Sequence, residues 1–328
     1  MKIHFYAMRE FDEVPIADQI SQETGIEYSY STEYPTYENV QELSGCEAIS
    51  CTPCDMGEKM LTLLHERGVK YILCRSIGYD HVDLKTAKSL GMRVSTVTYP
   101  PETVANYAIM CILMALRKIP YIMKKSEVQD YSLNGKIGRD ISSLTVGVIG
   151  TGSIGSTVIN HLSSFGCRLL AYDPYPKEEV RQYAEYVDLQ TMFKEADVFT
   201  LHANATAENM HLLNKEAFDM MKKDAVIVNT ARGKLIDADA LIEALENGNL
   251  GGAVLDVLEN ENGLFYYNRA GDVIANREMA LLRSFPNVLL LPHTAFYTDI
   301  TVQNMIQSIF DAADAFDKGT DTSHELKF

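Results

Sequence analysis

At 328 residues the chain is too long for one small domain and is expected to fold as two. Nearly half of it is apolar and 23% is charged, an ordinary globular composition with enough material for sizeable cores. A formal net charge of −16 argues against nucleic acid or an anionic membrane as partner, although one local cation can still hold an anionic ligand.

The first residues, Met1 to Ala7, read as a strand over 3–7; no basic region followed by a long apolar run is present, so no secretory signal is read there and the expected location is the cytoplasm. Further strands are predicted at 48–51, 71–74 and 93–95, with helices at 56–66 and 84–90 closed by Gly68 and Gly91. Six cysteines, Cys46, Cys51, Cys54, Cys74, Cys111 and Cys167, are scattered too widely for a disulfide framework. Cys51-Thr52-Pro53-Cys54 has the CxxC spacing but lacks a second pair or a thioredoxin-like setting; buried free thiols and no metal are expected.

Tyr99-Pro100-Pro101-Glu102 stiffens the chain and marks a crossing between domains. The helix predicted at 102–116 is apolar nearly all round, so it is expected to be buried in a core or between subunits. The longest apolar run, 108–116, is far short of the ~20 residues that span a bilayer. After a polar stretch at 134–143, strands are predicted at 145–149, 168–172, 198–201, 225–229, 252–255 and 288–291, six in all, as in a doubly wound α/β sheet. The last helix, 301–316, has no strand after it and is expected to fold back on the first domain. The expected organisation is 1–99 with 297–328 as one discontinuous domain and 100–296 as a Rossmann nucleotide domain.

Directly after the 145–149 strand comes Gly150-Thr151-Gly152-Ser153-Ile154-Gly155, a GxGxxG loop opening a helix. The first Gly permits the tight turn, the second lets the backbone approach a pyrophosphate, and the third lets helix and strand pack closely. N–H groups of Ser153 and Ile154 and the helix dipole suit the phosphate charge. Asp173 ends the next strand, where an acid accepts hydrogen bonds from ribose hydroxyls and repels the extra phosphate of NADP. NAD is the expected cofactor.

Three loops that follow successive predicted strands carry groups able to bind an anion and move a proton. Asn229-Thr230-Ala231-Arg232-Gly233 supplies Arg232, Leu255-Asp256-Val257-Leu258-Glu259-Asn260-Glu261 supplies Glu261, and Leu291-Pro292-His293-Thr294-Ala295 supplies His293. Ligands bind outside the carboxyl ends of strands in open α/β sheets, so these loops belong on one edge. A cation, an acid–base imidazole and a carboxylate to orient it are what polar chemistry at a carbonyl requires.

With these motifs in place, and with Arg75-Ser76-Ile77-Gly78-Tyr79-Asp80-His81-Val82-Asp83 and Pro292-His293-Thr294-Ala295-Phe296-Tyr297-Thr298, the chain resembles the D-2-hydroxyacid dehydrogenases over nearly its whole length. The resemblance is to the branch containing D-lactate dehydrogenases and vancomycin-resistance 2-keto-acid dehydrogenases, which also have an insertion like that at 263–276. It implies that Arg232 binds the substrate carboxylate and carbonyl, that His293 gives and takes the proton, and that Glu261 hydrogen-bonds His293. It further implies that backbone N–H groups of Ile77 and Gly78 contact the carboxylate, that Tyr99 lines the pocket, and that Asp256 meets the nicotinamide amide with Thr230 and Ala231 nearby. A split, flavodoxin-like substrate domain, closure between domains, D stereochemistry and a homodimer built on the nucleotide domain are implied as well.

The pattern departs from the family in places. His202-Ala203-Asn204 stands where His-Val-Pro is common near the adenine, which puts Asn204 there; Asn106 stands where an acid is often found. Phe296 and Thr52 stand where lactate-specific members carry Tyr, which points to a roomier, more apolar pocket. Reduction of pyruvate to D-lactate is the first expectation, with branched or aromatic keto acids as the alternative. An NAD(H)-sensing, corepressor-like binding protein is the reading from another class; the charge and the lack of a basic tail speak against it.

Asp173, followed by Pro174, Tyr175 and Pro176 rather than an Arg, predicts a higher kcat/KM with NADH than with NADPH. Steady-state assays with both cofactors check this, and a preference for NADPH overturns it.

Overall fold

Two separate parallel sheets organise the chain in the computed structural model, which describes residues 1–261 and 263–328. One belongs to a unit made of Met1–Pro100 and Tyr297–Phe328, the other to a unit made of Pro101–Phe296.

The first unit's strands are β1 Lys2–Phe5, β2 Glu27–Tyr30, β3 Ala48–Cys51, β4 Tyr71–Cys74 and β5 Arg93–Ser95, in the order β2-β1-β3-β4-β5. The inner strands β3 and β4 are apolar runs because a parallel sheet is covered on both faces. β2 is the strand that sequence analysis missed. It lies on the edge, and its polar Glu27-Tyr28-Ser29-Tyr30 is only half covered, so it has no apolar run to betray it. The last helix, Asp299–Asp317, packs in this unit against the helix Glu13–Thr24. Its Phe310 meets Phe5 at 5.9 Å and its Phe316 stacks on Tyr71 at 4.8 Å. Cys46, Cys51 and Cys74 are buried in this unit as free thiols, and Cys54 is partly exposed.

The second unit's strands are β6 Thr145–Ile149, β7 Arg168–Tyr172, β8 Glu185–Tyr186, β9 Val198–Leu201, β10 Val226–Asn229, β11 Gly252–Leu255 and β12 Val288–Leu290. Their order is β12-β11-β10-β9-β6-β7-β8, seven among the described residues rather than the six expected. The additional one, β8, is a two-residue edge strand, too short to leave a periodic signal. Strand order reverses at β6, so the crevice between its carboxyl end and that of β9 is the switch point where such sheets bind ligands. The helix Pro101–Leu116 covers the sheet with Ala105, Ala108, Ile109, Cys111 and Ile112. Its other side carries Met110, 41% exposed in the single chain. No helix of the described residues is long and apolar enough to cross a membrane.

Arg75, part of the motif that carried the family resemblance, turns out to be a core residue. Its side chain is fully buried, donates from Nη2 to the carbonyls of Tyr6 (2.7 Å) and Ala7 (2.9 Å), and pairs through Nε with the equally buried Glu13 at 3.3 Å. Glu13 also accepts from the backbone N–H of Arg9, whose guanidinium lies 3.2 Å away. Removing one member of a buried pair strands the other charge, at a cost of about 3 kcal/mol. Arg75→Leu should therefore destabilise this unit by about that amount, read from the urea midpoint; an unchanged midpoint contradicts the assignment.

Candidate active site

β6 delivers the chain into Gly150, whose φ of +92° makes the turn that a side chain resists. A Cβ on Gly155 would sit 1.9 Å from the carbonyl oxygen of Gly150, so only glycine lets the helix Ser153–Leu162 start this close to the strand. Around Gly152, by contrast, a Cβ would meet nothing within 4 Å. Gly152 is also the N-cap, and no side chain caps the helix there, so its first N–H groups face open space. Asp173 grips this loop: Oδ2 accepts from Thr151 N at 2.7 Å and Oδ1 from Tyr175 N at 2.8 Å. Each carboxylate oxygen retains a second lone pair for another donor. His202 packs behind the loop, its Nε2 2.8 Å from Thr200 Oγ1 and its Nδ1 shut off from solvent. Burial pushes this imidazole down to about 3, so it is neutral at physiological pH. Asn204 lies exposed just beyond, its carbonyl accepting from Asn209.

Three neighbouring strands, β10, β11 and β12, end in the loops that hold Arg232, Glu261 and His293. Buried Asn229 shapes the first loop, accepting from Ala231 N at 2.9 Å and donating to Arg232 O at 2.8 Å. Thr230 is buried, and the Arg232 guanidinium donates to Ala231 O at 2.7 Å. His293 Nδ1 and Glu261 Oε1 are 2.6 Å apart, with each side chain 21% exposed. A carboxylate can only accept, so the proton sits on Nδ1 and Nε2 is turned away from Glu261. The other Glu261 oxygen accepts from Leu258 N at 2.8 Å, which fixes the carboxylate's orientation.

His293 holds a left-handed backbone, φ +54°, that a branched or bulky residue rarely adopts. The loop is held there from three sides. Its own N–H donates to Asp256 O at 2.8 Å, and the Asp256 carboxylate accepts from Thr294 N (3.0 Å) and Ala295 N (2.8 Å). Tyr266, from the segment at 263–276, donates its hydroxyl to His293 O at 3.0 Å. Phe296 stands edge-on to both the Tyr266 and His293 rings.

Asp256, which the resemblance places at the nicotinamide amide, is 0% exposed, and both its oxygens hold the His293 loop, with Tyr107 donating to one at 3.2 Å. Burial is the chief influence on its carboxyl and pushes it up, against the hydrogen bonds that lower it. It acts on the site by shaping the loop. Asn229 does the same for Arg232, and sequence analysis passed over it although its place at the end of a strand, ahead of a loop, was visible. In the first unit, Ile77 is exposed, Gly78 accepts from Ser76 Oγ at 2.6 Å through its carbonyl, Tyr99 is partly buried and Thr52 is buried.

A sequence profile described as the D-isomer specific 2-hydroxyacid dehydrogenase NAD binding domain matches residues 109–295. The chain is 39% identical over 329 residues to a D-lactate dehydrogenase of Escherichia coli strain K12, covering 99% of this chain and all of the relative. It is 41% identical over 249 residues to an aromatic 2-oxoacid reductase of Clostridium sporogenes, 75% of each chain. The chain belongs to the D-isomer specific 2-hydroxyacid dehydrogenases. Among solved structures, the NAD-complexed D-isomer specific 2-hydroxyacid dehydrogenase of Lactobacillus delbrueckii ssp. bulgaricus superposes with a TM-score of 0.85 at 29% identity, each chain covered in full.

This dehydrogenase is an NAD-dependent oxidoreductase acting on small 2-keto and 2-hydroxy acids. Its own glycine loop fits the dinucleotide: the uncapped N–H groups and the open space at Gly152 form a cradle that any Cβ there would begin to fill. The unit from Pro101 to Phe296, which contains that loop, is the one the NAD-binding profile falls within.

Proposed function

We propose that this dehydrogenase reduces pyruvate to D-lactate, with His293 donating the proton to the carbonyl oxygen. The 2.6 Å contact of His293 Nδ1 with Glu261, on loops at the ends of adjacent strands, is the observation that carries the reading. NADH, when bound, would supply the hydride for the carbonyl carbon; the chain's own part is the proton that completes the alcohol. With Nδ1 held by Glu261, Nε2 is the ring nitrogen that delivers that proton, and the carboxylate stabilises the charged ring beforehand. Arg232 binds the carboxylate and draws electron density from the carbonyl, a task suited to a planar two-pronged cation. Gly150, Gly152, Ser153, Ile154 and Gly155 bind the pyrophosphate, Asp173 the adenosine ribose, and Asn204, Thr230 and Ala231 line the remainder of the cofactor site. Residues 100–296 form the NAD domain, and 1–99 with 297–328 the substrate domain, where Ile77 and Gly78 offer N–H groups to a carboxylate and Tyr99 and Thr52 line the pocket.

A larger side chain on the substrate is the second reading. Phe296 presents an aromatic edge beside His293, Thr52 is small, and a relative at 41% identity is an aromatic 2-oxoacid reductase. A panel from pyruvate to phenylpyruvate, compared by kcat/KM with NADH, separates the two: a maximum at pyruvate supports the first, and a maximum at phenylpyruvate replaces it with the second.

His293→Ala should lower kcat by at least about a hundredfold while NADH binding, followed by its fluorescence, stays unchanged. Arg232→Lys should be similarly severe, because an ammonium lacks the two-pronged contact. Full activity in either variant rejects the assigned chemistry.

We further propose a cytoplasmic homodimer built on the NAD domain. Met110, Met123, Val128, Tyr131, Leu133 and Ile137 fall within one stretch of that domain and are 41–88% exposed, apolar side chains that a second copy would cover. Sedimentation of the wild type at twice the monomer mass, and of Leu133→Glu at the monomer mass, is the expected result; a monomeric wild type contradicts it.

A further inference from the structure

Behind the proposed acid–base pair lies a second imidazole–carboxylate pair that nothing in the proposed chemistry uses. His211 stands on the connection between β9 and β10, with a left-handed backbone, φ +53°. Such a conformation is unfavourable for a residue with a Cβ and persists only where the surroundings enforce it. Two sets of contacts enforce it here. The His211 N–H donates to Lys234 O at 2.8 Å, and Leu213 continues the same ladder with Leu235 and Ile236, the segment that follows Arg232. On the other side, His211 Nε2 lies 3.1 and 3.0 Å from the two oxygens of Glu259, on the loop that ends at Glu261. Because a carboxylate only accepts, Nε2 is the donor.

The two loops that His211 joins are already in backbone contact. A Cβ on Gly233, next to Arg232, would lie 2.0 Å from the carbonyl carbon of Leu258 and 2.2 Å from Glu259 N. Leu258 is the residue whose N–H fixes Glu261 Oε2, and Glu261 Oε1 holds His293. A continuous chain of contacts thus runs from the Arg232 loop through His211, Glu259, Leu258 and Glu261 to His293. Asp237, whose Oδ1 caps the helix Ala238–Glu246, lies 4.0 Å from His211 Nδ1 through its other oxygen and backs the ring.

We propose that His211 is a positioning residue: by donating to Glu259 while its backbone is tied to Lys234, it clamps the Arg232 loop to the Glu261 loop and so sets the angle at which Glu261 meets His293. The inference rests on the roles assigned above to Arg232, Glu261 and His293. A clamp of this kind acts on orientation, so losing it leaves the cofactor site intact and degrades the proton-transfer geometry, where a displacement of about an ångström is costly.

The test uses the full-length protein and pyruvate reduction followed across pH. His211→Ala and Glu259→Gln should each lower kcat/KM about tenfold, with NADH affinity within about twofold of wild type. Both should also shift the pH profile of reduction, because the carboxylate 2.6 Å from His293 is then held less firmly. His211→Gln, which keeps a donor near the position of Nε2, should restore most of the rate and the wild-type pH profile. The groups facing the two rings, Glu259 and Asp237 at His211 and Glu261 and Asp256 at His293, are otherwise unchanged in each single variant. A wild-type rate and profile in His211→Ala overturns the proposal. So does a loss of rate with an unmoved pH midpoint and no recovery in His211→Gln, which marks a purely structural role. If His211→Ala fails to fold, Glu259→Gln and His211→Gln decide by the same criteria. His293→Ala is run alongside: substantial activity there defeats the assigned chemistry itself, whereas an inactive His293→Ala with a normal His211→Ala defeats only the clamp.

Discussion

The short hydrogen bond from His293 to Glu261 organises the site. It decides which ring nitrogen carries the fixed proton and which is turned away from Glu261, and it places a carboxylate beside the ring. An imidazole on a loop would ordinarily sample several rotamers. Here the backbone is held in a left-handed turn by Asp256 and Tyr266, and the carboxylate is held by Leu258, so neither partner can swing away cheaply. The strain at His293 is sustained by these surrounding contacts, a pattern found where orientation matters more than local comfort.

That bond is possible because of sheet order. β10, β11 and β12 are neighbours and parallel, so their carboxyl ends emerge on one edge at the ~4.8 Å spacing of hydrogen-bonded strands. Residues far apart in the chain are thereby delivered to adjacent loops. The same edge, at the β6–β9 switch point, carries the glycine loop with its uncapped helix start. The nucleotide cradle and the His293–Glu261 pair are therefore features of one sheet edge, with buried Asn229 and Asp256 as the struts beneath it.

Charge is handled locally. The chain is strongly acidic overall, yet the groups proposed to hold anionic ligands are backbone N–H groups and one guanidinium at strand ends, where fixed donors outweigh a diffuse surface charge. In the first unit the opposite arrangement holds: Glu13 and Arg75 are buried together and spend their charge on each other and on backbone carbonyls, organising a core rather than a ligand site.

Much of this was legible in the linear chain. The glycine loop after a strand, the acid at the end of the next strand, and Arg232, Glu261 and His293 on loops after three further strands are all local patterns, set by turn sterics and strand alternation, and they sufficed for fold class, cofactor and the candidate acid–base residues. Edge strands β2 and β8 were not legible, because an edge needs no apolar run. The inward turn of Asp256, the core role of Arg75 and the link through His211 were also hidden, since each depends on which distant backbone groups need a partner once the chain is packed. The sequence by itself determined which chemical groups would stand at the ends of which strands. Only the tertiary structure decided which of them face a ligand and which serve each other, because a buried polar group must find a partner and the identity of that partner exists only in three dimensions.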